Sequence, residues 1–184
     1  MRMLRIATIA GIPVNVHWSL IAGAAAVLAA FPRSFPATLF LVLLYVLTLL
    51  LHEWGHVLAA RWRGCEVLGI DLYVMLGRTR LQSPESRFDH CVIAWGGVAL
   101  QAVVGFPMFA WIKLVGLTSI GPLDATLATV GFLSVVMVPL NLAPVYGLDG
   151  AIAWQIMPML WERARRRPLA GKPAPDSTRW KRWG

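Results

Sequence analysis

Apolar residues run along this chain in four long blocks, separated by short polar or basic breaks, at residues 14–31, 37–62, 90–117 and 125–161. A helix needs about 20 apolar residues to cross about 30 Å of hydrocarbon. Each block is long enough, and the fourth is too long for one unbroken crossing. It is interrupted by Pro139, Pro144 and Gly147. Proline removes a backbone donor and clashes with the preceding turn. Irregular backbone at membrane depth survives only where protein buries it or a wet cavity adjoins it, so the break itself suggests a site.

Two stretches have a different pattern. Residues 65–82 carry strand-like content on either side of Gly77, and residues 5–16 read similarly. They predict a small sheet at the membrane surface. The expected fold is an all-α membrane protein of four transmembrane helices with that sheet attached. One membrane-embedded domain spans 1–162, and a basic, Pro-containing tail over 163–184 is expected to be disordered.

Charge sets the orientation. Arg2 and Arg5 precede the first block, and Arg33 alone separates the first and second. Arg61, Arg63, Arg78, Arg80 and Arg87 lie between the second and third, and Lys113 lies near the next connection. The remaining basic residues follow Trp161. With both termini inside, 15 basic residues are cytoplasmic and 2 are outside. The positive-inside rule therefore predicts an N-in, C-in topology. A secretory signal peptide is the alternative for the first block, given its small residues at 24–26. Asn15 and His17 argue against it, as does the four-residue recurrence of Ala22, Ala26 and Ala30, which suits helix packing.

Composition agrees. Of 184 residues, 58% are hydrophobic and 14% charged, and mean hydropathy is +0.64. Soluble domains average about 25% charged. A disulfide scaffold, a disordered chain and an ordinary cytosolic enzyme are all disfavoured. Cys65 and Cys91 read as reduced thiols on the cytoplasmic side. The net charge of +8 reflects topology and contact with anionic lipid, notably at residues 163–167, rather than nucleic acid. Trp18, Trp62 and Trp161 suit the interfacial belt, His17 reads as an interface residue, and His90 beside Asp89 as a cap or interface pair.

Four ionisable residues fall clearly inside apolar blocks: His52, Glu53, His56 and Asp149. Such residues are costly in lipid and functional by default. The first three form His-Glu-Trp-Gly-His, an HExxH motif. On a helix, i and i+4 share a face, so both imidazoles can grip one Zn²⁺ while Glu53 acts on water. A catalytic zinc usually has three protein ligands and an open position. Asp149 is the spare acid within the apolar blocks, and thus the natural third ligand. His52 lies about 22 Å along its helix from residue 37, at 1.5 Å per residue, and Asp149 falls at a similar depth past the break. The bland readings are helix packing or a salt bridge for the histidines, and a helix cap beside Gly150 for Asp149.

The HExxH motif extended from Leu51 to Arg61, together with residues 141–150 (Asn-Leu-Ala-Pro-Val-Tyr-Gly-Leu-Asp-Gly), resembles the site-2 protease family of intramembrane zinc metalloproteases. Residues 11–18 resemble the opening of its compact branch. The resemblance covers most of residues 5–160. It implies one zinc held by His52, His56 and Asp149, with Glu53 as general base and Asn141 positioning or polarising the scissile carbonyl. Where the family has Gly-Pro-x-x-Asn on the third span, the stretch here is residues 95–101 (Trp-Gly-Gly-Val-Ala-Leu-Gln), with Gln101 in place of Asn. Better-known members have six spans, and the 63–88 connection has no room for a PDZ domain nor the tail for a CBS pair.

The function expected from this resemblance is hydrolysis of peptide bonds in or near transmembrane segments of single-pass membrane proteins. Such substrates include anti-sigma factors, tethered regulators and leftover signal peptides. The expected setting is a prokaryotic plasma membrane with the site toward the cytoplasm. The sheet is expected to receive an unwound substrate as an added strand, at an edge containing Leu72 and Val74. A catalytically inactive relative that binds transmembrane helices is the alternative, and a metal transporter or sensor a more distant one.

Overall fold

The computed structural model describes residues 3–166. The chain begins with strands β1 (Met3–Ile9) and β2 (Ile12–His17), then helix α1 (Trp18–Ala30) and a 3-10 turn at Pro32–Ser34. Helix α2 (Phe35–Trp62) leads to strands β3 (Val67–Leu72) and β4 (Gly77–Leu81). Helices α3 (Arg87–Leu114), α4 (Gly121–Asn141), α5 (Gly150–Ala153) and α6 (Ile156–Arg166) follow.

The four strands make one sheet in the order β1-β2-β3-β4. Ala10 and Gly11, with φ of 48° and 82°, form the two-residue turn joining β1 to β2, the geometry whose twist matches antiparallel strands. β2 then runs parallel to β3, Val14 opposite Ile70 and Val16 opposite Leu72, with α1 and α2 as the crossover. Ile12, Val14, Val16, Ile70 and Leu72 turn one face of the sheet inward. With Leu20, Leu49 and Val57 they form the core that seats the sheet on α2. On the sheet's polar side, Asp71 accepts from Asn15 Nδ2 at 2.7 Å and pairs with Arg80 Nε at 2.9 Å.

Of the four expected spans, the first block is helical only in part. Residues 12–17 are strand, and only the 13 residues of α1 are helical. At 1.5 Å per residue α1 is about 20 Å long, short of the hydrocarbon thickness. Alternating Ile12, Val14 and Val16 commit that stretch to the sheet, and His17 caps the helix by accepting from Ser19 N–H at 3.3 Å. Three helical segments are long and apolar enough to cross a membrane: Pro32–Trp62, Arg87–Leu114 and Gly121–Asn141. Ala22, Ala26 and Ala30 are exposed rather than packed. The close approach on α1 is at Gly23, where a Cβ would lie 2.6 Å from Val74 Cγ2.

The fourth block is not one span. α4 ends at Asn141, two residues past Pro139, and the chain turns through Gly147 at φ 95° into α5 and α6. This return is tied down by Trp154 Nε1 donating to the Leu142 carbonyl at 2.7 Å and Trp95 Nε1 donating to the Ala153 carbonyl at 3.0 Å. At Gly150 a Cβ would meet the Leu142 carbonyl oxygen at 2.2 Å, so only glycine allows the fold-back. α6 continues to Arg166, past residue 163 where the tail was expected to begin, and the remainder of that tail lies outside the described residues. Met157, Leu160 and Trp161 are exposed on α6, with the Arg165 guanidinium over the Trp161 ring.

The sheet edges also differ from expectation. β3, with Leu72, lies between β2 and β4, and Val74 lies in the turn after it. The free edges are β1 and β4. Cys65 and Cys91 are free thiols.

Candidate metal centre

α2 carries His52, Glu53 and His56 on its inward side, with 5%, 3% and 7% exposure. Two glycine contacts bring the next helix unusually near. A Cβ on Gly55 would lie 2.3 Å from the Gly96 carbonyl oxygen, so the backbones of α2 and α3 touch there. A Cβ on Gly97 would lie 2.4 Å from His56 Nε2 and 2.9 Å from His52 Nε2. The absent side chain at Gly97 is therefore the space in which the two imidazoles sit.

Each imidazole is oriented from behind. His52 Nδ1 lies 2.9 Å from Gln101 Oε1, and His56 Nδ1 lies 2.8 Å from the Ile93 carbonyl oxygen. Both oxygen atoms can only accept, which assigns the proton to Nδ1 in each ring. The Nε2 lone pairs are left facing inward. They lie 3.1 Å apart, and Asp149 Oδ2 is 2.9 Å from His52 Nε2 and 3.3 Å from His56 Nε2. Three acceptor atoms thus converge with no donor between them. Ligands at about 2.0–2.1 Å from a tetrahedral zinc lie roughly 3.3 Å apart. The donor set and spacing fit that ion.

Asp149 immediately precedes α5, yet its carboxylate makes no capping hydrogen bond. The cap reading is thereby set aside in favour of the histidine contacts. The fold-back after α4 is what carries this acid to α2, 97 positions away in sequence.

Glu53 is outside the cluster in which the three ligand atoms lie within 4.8 Å of one another. Its Oε2 accepts a hydrogen bond from Thr79 Oγ1 at 2.7 Å, and its side chain lies against Gly77. Asn141 is buried at the last turn of α4.

Other titratable residues fall away from the centre. His17 caps α1 and lies over the Tyr73 ring at 5.0 Å. Asp89 pairs with Arg63 and accepts from Ser86 Oγ at 2.6 Å, instead of pairing with His90. Ser86 caps α3.

Several neighbours of the site were not visible as such in the sequence. In sequence Gln101 reads only as a substituted amide, whereas it is fully buried against His52 and donates to Met137 Sδ at 3.6 Å. Gly97, Gly77 and Thr79 carried no local signal beyond a small residue in a helix and a strand-like pattern.

No family model matches the chain. It is 30% identical, over 177 residues, to a Synechocystis sp. protein named as a candidate zinc metalloprotease. The match takes in 83% of this chain but 45% of the relative, so the chain spans about half the length of that protein. Among solved structures, the site-2 protease from Methanocaldococcus jannaschii shares the fold, with a TM-score of 0.69 at 18% identity. The alignment covers 86% of this chain and 73% of the archaeal one. The 24 residues between α2 and α3 hold a strand pair and no PDZ domain. In sequence the chain is thus similar to a zinc metalloprotease relative, and in fold to a site-2 protease.

Proposed function

We propose that this protein is an intramembrane zinc metalloprotease that hydrolyses peptide bonds in or near transmembrane segments of membrane-anchored substrates. The observation that carries the reading is the convergence of His52 Nε2, His56 Nε2 and Asp149 Oδ2, with both Nδ1 protons already committed elsewhere. Such a set binds a metal through three protein ligands and leaves a position open.

A bound zinc supplies Lewis acidity toward the scissile carbonyl and makes water acidic enough to ionise near neutral pH. The chain's own residues do the rest. Glu53 is the sole unligated acid adjoining the centre in sequence, and takes a proton from the attacking water and returns it to the leaving amine. Asn141, at the end of α4, offers an amide to the substrate carbonyl. Burial of His52, Glu53 and His56 keeps bulk water from competing for these groups.

A transmembrane helix hides its backbone in its own hydrogen bonds, so the substrate must be extended to be cut. The free edge of β4 is the proposed receiver, because that strand also touches Glu53. A photo-crosslinker at Arg80 is expected to capture substrate. Capture from β1 alone would move the docking edge elsewhere. The excess of basic residues on one side favours a centre facing the cytoplasm of a prokaryotic plasma membrane.

The inactive-scaffold reading is weaker, because Glu53 keeps a dedicated hydrogen bond and a glycine-shaped space that client binding alone does not need. Zinc per chain in detergent, with cleavage of a membrane-embedded reporter, tests the proposal. About one zinc in wild type, retained in Glu53→Gln while cleavage is lost, is the expected result. A well-folded wild type that takes up no zinc would sink it.

A further inference from the structure

The residues that hold Glu53 in place lie on strand β4, not on the helix that carries the motif. Thr79 Oγ1 is 2.7 Å from Glu53 Oε2 and 3.2 Å from the Glu53 backbone oxygen. A hydroxyl has one proton to give, and the shorter contact, to the side-chain oxygen, takes it. Two residues earlier, a Cβ on Gly77 would lie 2.2 Å from Glu53 Oε1 and 2.4 Å from its Cδ and Cγ. Residues i and i+2 of a strand share a face. One face of β4 is thus shaped to the Glu53 side chain, by an absent Cβ at Gly77 and a donor at Thr79.

The arrangement is anchored from behind. Thr79 is opposite Ile70 and Gly77 opposite Leu72 in the β3–β4 ladder, and both partners are core residues with 0% and 1% exposure. Arg78 and Arg80, on the other face, are exposed. The strand therefore cannot shift without disturbing the sheet core. Glu53, at 3% exposure, has no hydrogen-bonded side-chain partner other than Thr79 among the described residues.

We propose that Thr79 is a positioning residue for Glu53: its hydroxyl fixes the carboxylate in the orientation from which the general base works. The proposal rests on the metalloprotease reading. It adds that the base is aimed by the sheet, so the strand offered to substrate is also the strand that sets the base. Thr79 acts through Glu53, by its hydrogen bond to the carboxyl group.

The test compares full-length wild type, Glu53→Gln, Thr79→Val and Thr79→Ser. Each is loaded with cobalt(II), whose visible bands report metal coordination, and each is assayed on a membrane-embedded reporter. Valine keeps the shape and removes the donor, and serine restores the donor. Thr79→Val is expected to move the cobalt spectrum toward that of Glu53→Gln. It should lower kcat about 10- to 100-fold with KM little changed, in line with the cost of leaving a buried acceptor without its donor. Thr79→Ser should recover both. A Thr79→Val protein with wild-type spectrum and wild-type kcat overturns the proposal and leaves the protease reading standing. So does a Thr79→Val protein that loses cobalt or unfolds with no rescue by serine, since Thr79 then serves the fold. Failure of wild type to take up cobalt overturns the protease reading, and this proposal with it.

Discussion

Gln101 Oε1 accepts from His52 Nδ1 at 2.9 Å, linking the third long apolar block to the HExxH helix across 49 positions of sequence. The contact fixes the proton on Nδ1 and so leaves Nε2 free to bind metal. Met137 Sδ, 3.6 Å from Gln101 Nε2, holds the other end of the amide.

Removing this acceptor should loosen the metal. Gln101→Leu preserves much of the volume and removes the hydrogen bond. Zinc affinity is expected to fall about 10- to 100-fold, the range for loss of a group that orients a ligand. Competition against a chromophoric chelator measures it, and an unchanged affinity would show that His52 is oriented without Gln101.

Gly97→Ala should act on the same centre by crowding. The added Cβ would lie 2.4 Å from His56 Nε2, well inside contact distance, with the imidazoles confined on their far sides. The variant is expected to hold well under one zinc per chain. Full zinc occupancy at wild-type affinity would mean that α3 can retreat despite the Gly55–Gly96 contact.

Metal removal should destabilise the protein, because His52, His56 and Asp149 converge only in the folded chain. A ligand present at about 1,000 times its Kd contributes about 4 kcal/mol to folding. Chelation is therefore expected to lower Tm in wild type and to change it little in Asp149→Ala. Equal shifts in the two proteins would place the metal elsewhere.

The sheet has its own keystone in Asp71, which is 7% exposed between Asn15 and Arg80. Asp71→Ala leaves the Asn15 amide without its acceptor. A loss of about 1 kcal/mol is expected, the net worth of one hydrogen bond, because Asn15 is only half-buried. The Arg80 pair adds little, since that side chain is 42% exposed and screened by solvent. Thermal unfolding of the two proteins gives the difference, and an unchanged Tm would show that the strand ladder alone holds β2 and β3 together.

What was legible in the sequence was set by local spacing and by cost. His52 and His56 share a face because α-helical geometry places i and i+4 together, whatever surrounds the helix. Asp149 stood out because an acid in an apolar block is expensive without a partner. The breaks at Pro139 and Gly147 showed where the last block must stop being one helix, for reasons of backbone chemistry alone. The strand content of residues 65–82 was legible for the same kind of reason.

The first block shows the limit of such a reading. Residues 14–17 are apolar enough to extend a span, but their alternation serves β2, and a window of hydropathy does not separate the two. What settles it is pairing with Ile70 and Leu72, more than fifty positions away. Tertiary structure alone decided the surroundings of the centre. Gln101 reaches His52 because Gly55 and Gly96 let two helix backbones touch. Gly97 clears the imidazoles, and Gly77 and Thr79 meet Glu53 because the sheet is seated on α2. The candidate ligands follow from short-range spacing and the energetic cost of burying charge, which one stretch of chain reveals. Their orientation depends on contacts between distant segments, which exist only once the helices and the sheet have packed.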